Sequence, residues 1–213
     1  MPGGIPLILC KPPFRKGDGT CDGEAQAKSN LENHTAIAAN VPVLQKAAPG
    51  HGMVTVTPEA DGIVRRVPAI VMVRGQLYPA LTIDMLRLGM QRGGYVLFYG
   101  PDGVENIAIT PQFRVPIDTA GRIYVNFRRN VDFVSAADVL SATAPVEALQ
   151  NKFVLIGTSA AGLKDIRSTP LNAAAAGVEV HANILETILT NTYLNRTIDA
   201  ETWEKIASVV AGV

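Results

Sequence analysis

The side chains that could perform chemistry lie close together towards the C-terminal end of the chain. Ser159 and Asp165 stand in a loop rich in glycine and hydroxyl groups, and His181 follows that loop. These are residue types that hydrolases and transferases use for nucleophilic catalysis. The loop reads GTSAAG, whereas a nucleophile elbow needs GxSxG and a P-loop needs a lysine where Leu163 stands. Neither motif fits. A soluble hydrolase or transferase that uses Ser159, Asp165 and His181 is therefore kept only as the alternative hypothesis.

The same residues have a structural interpretation, which we favour. Asp165, Ser168 and Thr169 have short polar side chains that can hydrogen-bond neighbouring backbone groups and hold an irregular crossing in place. Pro170 favours an extended conformation at the residue before it. His181 shares one helical stripe with isoleucine and leucine side chains, which is typical of a core histidine. We therefore predict a scaffold at this loop, with no catalytic residue.

Composition excludes some classes of function. The chain has 19 Lys and Arg against 19 Asp and Glu, and no basic stripe that would neutralise phosphates, so nucleic acid is not an expected partner. The 47% hydrophobic and 6% aromatic content is typical of a globular α/β protein. The three histidines lie far apart in sequence and no Cys/His cluster occurs, so neither a metal nor a cofactor is predicted. Cys10 and Cys21 could form a disulfide or remain free thiols.

The apolar patterns predict a single α/β domain with a mixed, partly parallel sheet, flanking helices and antiparallel hairpins. Residues 5–10 and 153–156 are continuous apolar runs, which predict buried strands, and the second run is expected to be covered on both faces. A hairpin is expected around Gly75-Gln76. Residues 113–117 and 123–127 alternate in polarity and are expected to pair across the DTAGR turn. The parallel part is expected to involve the last strand and the helix after it.

Helices and further strands complete the predicted domain. Alanine-rich residues 24–46 favour helical segments that Pro42 must interrupt or begin. Pro79 opens a helix, Ser135 and Pro145 begin two short ones, and residues 177–190 form an amphipathic helix. Residues 51–57 and 104–109 are predicted strands. No stretch reaches the length of a membrane span, but WEKIASVVAGV at the end becomes steadily more apolar. This end predicts either a membrane span beyond Val213 or a frayed terminal helix.

Several segments together resemble the type-two CHASE domain, an extracellular sensory domain associated with bacterial cyclases and histidine kinases. They are ADGIVRRVPAIV, QLYPALTIDML, VPIDTAGRIYVNFR, NKFVLIGTSAAGLKDIRSTPL and GVEVHANILETIL, in the family's order over residues 45–205. The resemblance implies a non-catalytic sensor outside the cytoplasmic membrane, followed by transmembrane helices and a cytoplasmic cyclase, diguanylate cyclase or kinase. Trp203 would then lie near the membrane interface. Family members usually have a longer amino-terminal part, so the resemblance also implies a missing portion of the sheet and an exposed edge that promotes pairing between chains.

The resemblance leads to one leading hypothesis about organisation and ligand. Residues 1–200 are expected to form an extracytoplasmic sensory domain, and residues 201–213 a juxtamembrane segment. Candidate ligand-binding residues are Arg65, Asp165, Arg167, Thr169, His181 and Asn183. The expected partners are a small-molecule or envelope signal, the membrane through adjacent helices, and a second copy of the chain. A purely structural dimerisation module is a third hypothesis.

Overall fold

A computed structural model describes residues 30–100, 103–129, 131–158, 165–194 and 200–212. Its helices are α1 (Pro42–Ala47), α2 (Leu81–Gly89), α3 (Ala136–Leu140), α4 (Gly177–Leu189) and α5 (Ala200–Ala211), with a 3₁₀ turn at Val146–Ala148. Its strands are β1 (Asn33–His34), β2 (Arg66–Pro68), β3 (Ile70–Val73), β4 (Gln76–Pro79), β5 (Val96–Gly100), β6 (Gly103–Ala108), β7 (Arg114–Pro116), β8 (Arg122–Tyr124), β9 (Ile166–Arg167) and β10 (Ala175–Ala176).

The strands form small sheets around one core, and the predicted mixed α/β fold is confirmed. Strand β1 pairs in parallel with β3, which pairs antiparallel with β4. An antiparallel meander joins β5, β6 and β7, while β2 pairs with β8 and β9 with β10. The parallel pairing between strands therefore lies at β1 and β3. The sequence had predicted it at the last strand and the helix after it. The segment before β10 contributes one parallel bridge, between Ile63 and Ser168.

The first predicted hairpin is confirmed, with its turn one residue earlier than expected. Val73 pairs with Gln76, so the two turn residues are Arg74 and Gly75. Both have positive φ, 50° and 79°, which is the backbone of a type I′ turn and matches the twist of the flanking strands.

The second predicted hairpin is wrong, although its strands exist. Strand β7 pairs with β6, and β8 pairs with β2. The turn between them is held by Asp118, whose Oδ1 accepts hydrogen bonds from the backbone N–H groups of Ala120 and Arg122 at 3.0 and 2.9 Å. This turn carries the chain from one sheet to another. Alternating polarity identifies the buried face of each strand, but it does not identify the neighbouring strand.

The predicted buried strand at residues 153–156 is also wrong. No strand or helix is present over residues 153–158, and Phe153, Val154 and Ile156 are 41%, 47% and 96% exposed. An apolar run forms a buried strand only where other strands flank it. None of the strands in the described ranges pairs with these residues.

The amphipathic helices form the centre of the core as predicted. Helix α2 buries Ile83 and Leu86, and α4, which begins at Gly177 as expected, buries Val180, Ile184 and Ile188. The two helices pack on each other and on the sheets, so their apolar stripes are removed from water. No helix in the described part of the chain is long and apolar enough to cross a membrane.

The remaining predicted elements are confirmed in part. Pro42 begins α1, and the Ser135 side chain caps α3 by accepting a hydrogen bond from Ala137 N at 3.2 Å. The helix expected after Pro145 is only the 3₁₀ turn, and residues 51–57 contribute a single bridge at Met53 rather than a strand. The predicted strand at residues 5–10, both cysteines and Ser159 lie outside the described residues.

Candidate functional site

The candidate site lies where the chain enters helix α4. Strands β9 and β10 form a short antiparallel pair, which places Asp165 and Arg167 beside the first turn of the helix. The carbonyl of Asp165 accepts a hydrogen bond from Gly177 N at 2.9 Å, and Glu179 Oε1 accepts one from Ala176 N at 3.1 Å. Both bonds satisfy backbone donors that a helix start otherwise leaves free.

A glycine is required at the start of α4. A Cβ on Gly177 would stand 2.5 Å from Oδ2 of Asp165, so only glycine lets the carboxylate approach the helix terminus this closely. Negative charge at this end is stabilised by the helix dipole. Gly157 serves a similar purpose, because a Cβ there would collide with the side chain of Val178, 2.8 Å from Cγ2. The sequence around both glycines thus brings the chain close to the helix start.

Arg167 reaches back to Asp165. Its Nη2 lies 3.3 Å from Asp165 Oδ1, and Nη1 donates to the Ile166 carbonyl at 3.2 Å. Both side chains are more than a third exposed, so this pair contributes little to stability. The Nε atom is buried and has no hydrogen-bond partner among the described residues. One donor of the guanidinium therefore remains for a further acceptor.

His181 lies one turn into α4 and is 6% exposed, so the predicted core position is confirmed. Burial lowers the pKa of its imidazole, and a hydrogen bond with the Val54 backbone and the nearby charge of Asp165 offset this only in part. Its Nδ1 atom is buried without a partner in the described part of the chain. The imidazole is thus neutral at pH 7, and an unused nitrogen of this kind costs about 1–3 kcal/mol unless something binds it.

Asn183 does not belong to this cluster. The residue is buried, with 3% of its surface exposed. Oδ1 accepts a hydrogen bond from Arg128 N at 2.7 Å, and Nδ2 donates to the Glu179 carbonyl at 2.8 Å. Thr187, one turn further, accepts a bond from Asn126 N at 3.1 Å. These two side chains fasten the segment after β8 to the helix, a role that their i, i+4 spacing on α4 could have indicated.

Thr169 and Arg65 also have local partners. The Thr169 hydroxyl accepts from Asn172 N and donates to Asn172 O, both at 3.1 Å, which closes a turn. Arg65 pairs with Asp61 at 2.7 Å on an exposed turn, and this hydrogen bond lowers the pKa of the Asp61 carboxyl. Of the six candidate residues, the structure therefore pairs Asp165 with Arg167, and the charge of Asp165 also acts on His181.

Sequence reasoning missed a second polar cluster near the end of α2. Asp84 accepts hydrogen bonds from Arg87 Nε at 2.7 Å and from the Tyr95 hydroxyl, and all three side chains are buried. Burial and the adjacent carboxylate raise the pKa of Tyr95, so its hydroxyl remains a donor. Arg87 also donates to the Arg92 carbonyl at 2.9 Å. These partners are mutually satisfied, which indicates a structural role.

A further polar network lies beside a small cavity at β8, which Tyr124 lines. Arg66 donates from Nε to Glu59 Oε1 at 2.6 Å and lies 5.2 Å from the centre of the Tyr124 ring. The hydrogen bond from Arg66 lowers the pKa of Glu59. The cavity, of about 100 Å³, is also lined by Tyr193, whose pKa burial raises to about 12. It is smaller than the pockets that bind metabolites, which begin at roughly 300 Å³.

The geometry defines an α/β domain with a partly unsatisfied polar cluster at the start of its last core helix. A family model described as the CHASE2 domain matches residues 13–213. The chain therefore belongs to the CHASE2 family, an extracellular sensory domain family, and the resemblance read from its motifs is confirmed. A search of curated proteins and a search of solved structures each found no match.

Proposed function

We propose that this chain is the extracytoplasmic sensory portion of a bacterial membrane signalling protein, with a cyclase, diguanylate cyclase or kinase as its output. The observation that carries the proposal is the family match over residues 13–213, supported by the mixed α/β fold. In this proposal, helices next to the chain anchor it in the membrane, and two copies form a dimer. Nucleic acid is not a partner, which the balanced charge supports.

The signal binds, in this proposal, at the cluster of Asp165, Arg167 and His181. Arg167 Nε offers a hydrogen-bond donor, and in this proposal the buried Nδ1 of the neutral His181 serves as the acceptor. A small polar molecule that carries both a hydrogen-bond acceptor and a hydrogen-bond donor complements these two groups. Asp165 contributes negative charge beside them. An amino acid, a small amide or a hydroxy acid has this character.

Transmission follows from the position of the cluster on α4. A ligand changes the output only if it binds one arrangement of the domain better than another. His181 stands on the helix that also holds residues 126–128, through hydrogen bonds to Asn183 and Thr187. A shift of α4 would therefore also change its contacts with the segment after β8. The C-terminal helix α5 carries this change towards the membrane in the proposed receptor.

Binding can be tested by calorimetry and thermal-shift measurements with a panel of amino acids, small amides and hydroxy acids. We expect a ligand that raises the melting temperature of the wild-type chain and loses at least about tenfold in affinity, roughly 1.4 kcal/mol, with Arg167→Ala or His181→Gln. Arg65→Ala is the matched control, because that arginine also pairs with an aspartate but lies on a separate turn. Equal affinity in all three variants would show that the ligand binds elsewhere.

A further inference from the structure

Residues 153–158 have the side-chain pattern of a strand but lack a partner strand. Phe153 packs on helix α2, where a Cβ on Gly89 would stand 2.6 Å from its ring. Leu155 packs against the core, and Gly157 contacts Val178 of α4. Alternate residues therefore face the helices, which is the two-residue period of an extended strand.

The residues between them face outwards and are exposed. Val154 is 47% exposed and Ile156 is 96% exposed. Within the described ranges, the backbone of residues 153–158 makes no hydrogen bond to any other residue. An apolar extended segment with open N–H and C=O groups is a template for the addition of another strand.

We propose that residues 7–10 of the same chain, Leu-Ile-Leu-Cys, add to residues 154–157 as a neighbouring strand. This segment lies outside the described residues and is the apolar run that the sequence predicts to be a buried strand. Neither segment carries a charged side chain, so pairing them buries no charge. Pro6, which lacks a backbone donor, falls just before the added strand, where a proline is tolerated.

The connection between the two segments allows this pairing. Residues 11–29 separate the added strand from Asn30, where the described chain begins, and at about 3.3 Å per residue they can span roughly 60 Å. That reach exceeds the diameter of about 45 Å expected for a domain of this length. A tethered segment is present at an effective concentration in the millimolar range.

A second copy of the chain is the competing occupant. A four-residue strand pair buries far less than the roughly 1,000 Å² that a stable interface between chains needs. The tethered strand needs no such area, because its ends are already held in one molecule. This difference favours addition within the chain.

Hydrogen exchange on the intact chain tests the proposal. We expect amides in residues 154–157 to exchange at least about tenfold more slowly in wild type than in the double variant Leu7→Asp/Ile8→Asp, while the amides of α2 exchange equally in both. Leu140→Asp, at an apolar side chain that is 88% exposed outside residues 153–158, is the control and leaves residues 154–157 protected. Unprotected amides at 154–157 in wild type would refute the proposal.

The concentration dependence of the protection distinguishes the two possible occupants. A second variant is available if the double variant does not fold. If protection at residues 154–157 appears only at protein concentrations where light scattering shows a dimer, the second copy is the occupant and the proposal is wrong. If the double variant fails to fold, Ile156→Pro tests the same pairing from the other strand. It is expected to abolish the protection of amides in residues 7–10, and retained protection there would refute the pairing.

Discussion

Two regions of this chain contain similar apolar residues, but one region buries them and the other leaves them exposed to water. In the packed body, Ile83 and Leu86 of α2 and Ile184 of α4 are at most 1% exposed. In the segment of residues 131–158, Leu140 is 88% exposed and Ile156 is 96% exposed. The difference shows that apolar content alone does not decide burial. The helices α2 and α4 pack on each other and on the sheets, whereas Leu140 and Ile156 have no element covering them among the described residues.

The two polar clusters, around Asp84 and at the start of α4, differ in whether their hydrogen-bonding groups have partners. Around Asp84, the donors of Arg87 and Tyr95 converge on one carboxylate. At the start of α4, His181 Nδ1 and Arg167 Nε are buried without partners among the described residues. A satisfied cluster stabilises a fold, while an unsatisfied one can bind a ligand, since binding supplies the missing hydrogen bonds.

The largest expected effect comes from removing the centre of the satisfied cluster. Asp84→Ala leaves Arg87 as a buried charge without its carboxylate, and we expect a loss of about 3–5 kcal/mol in the free energy of unfolding. Chemical denaturation followed by circular dichroism measures this loss. Glu147→Ala, an exposed acid in residues 131–158, is the control, with an expected change within about 0.5 kcal/mol. Similar losses in both variants would remove the distinction between the regions.

A truncation of apolar side chains tests the same comparison in the core. Ile184→Ala creates a cavity between α4 and its neighbours, so we expect a loss of about 2–5 kcal/mol. Leu140→Ala removes a comparable side chain from an exposed position, and its cost should stay below about 0.5 kcal/mol. A large loss for Leu140→Ala, measured by the same denaturation, would mean that this residue is buried in solution.

A smaller effect is expected where the two regions touch. Gly157→Ala forces a methyl group against Val178, whose branched side chain cannot rotate away easily, and the expected cost is about 1–3 kcal/mol. Gly93→Ala is the matched control, because no atom lies within 4 Å of the position of its new Cβ. Thermal unfolding compares the two variants. Equal stability would indicate that residue 157 does not lie against α4.

The smallest effect is a pH dependence caused by His181. Burial holds the pKa of this side chain below its ordinary 6.5 in the folded chain, so as pH falls the unfolded chain binds the proton first. Stability is therefore complete above about pH 7 and decreases as pH falls below 6.5, by at most about 1.4 kcal/mol per pH unit. His181→Gln should flatten the curve of unfolding free energy between about pH 5 and 7. An unchanged slope would assign the dependence to other groups.

The sequence predicted elements whose signal is local. The amphipathic stripe of α4, the cap at Ser135 and the turn at Gly75 depend on neighbouring residues, and all three are present. Pairing between distant strands was not predictable in the same way. Residues 113–117 and 123–127 have the alternation of a hairpin, yet each pairs with a different strand because the Asp118 turn separates them.

The candidate site was predictable in its residue types and only partly in its geometry. Asp165, Arg167 and His181 are among the six ligand-binding candidates named with the family resemblance. Arg167 lies 3.3 Å from Asp165, and the charge of Asp165 acts on His181. The turn closed by Thr169 was predictable, because its partner Asn172 is a close neighbour in sequence. The bond from Arg128 to Asn183 joins segments far apart in sequence, so only the spacing of the polar side chains on α4 indicated it. The Asp84 cluster escaped notice because residue 95 lies outside the helix that carries its partners.

The sensory role is tested most directly in the full-length protein. For the receptor proposed above, the cyclase or kinase output should be measured with the intact domain, with residues 30–194 deleted, and with His181→Gln and Arg167→Ala, each with and without a ligand found by calorimetry. We predict that the ligand changes the output of the intact protein, that deletion abolishes this response, and that the two substitutions weaken it at least about tenfold in ligand concentration. An output and a ligand response that are unchanged by the deletion would contradict a sensory function for this chain.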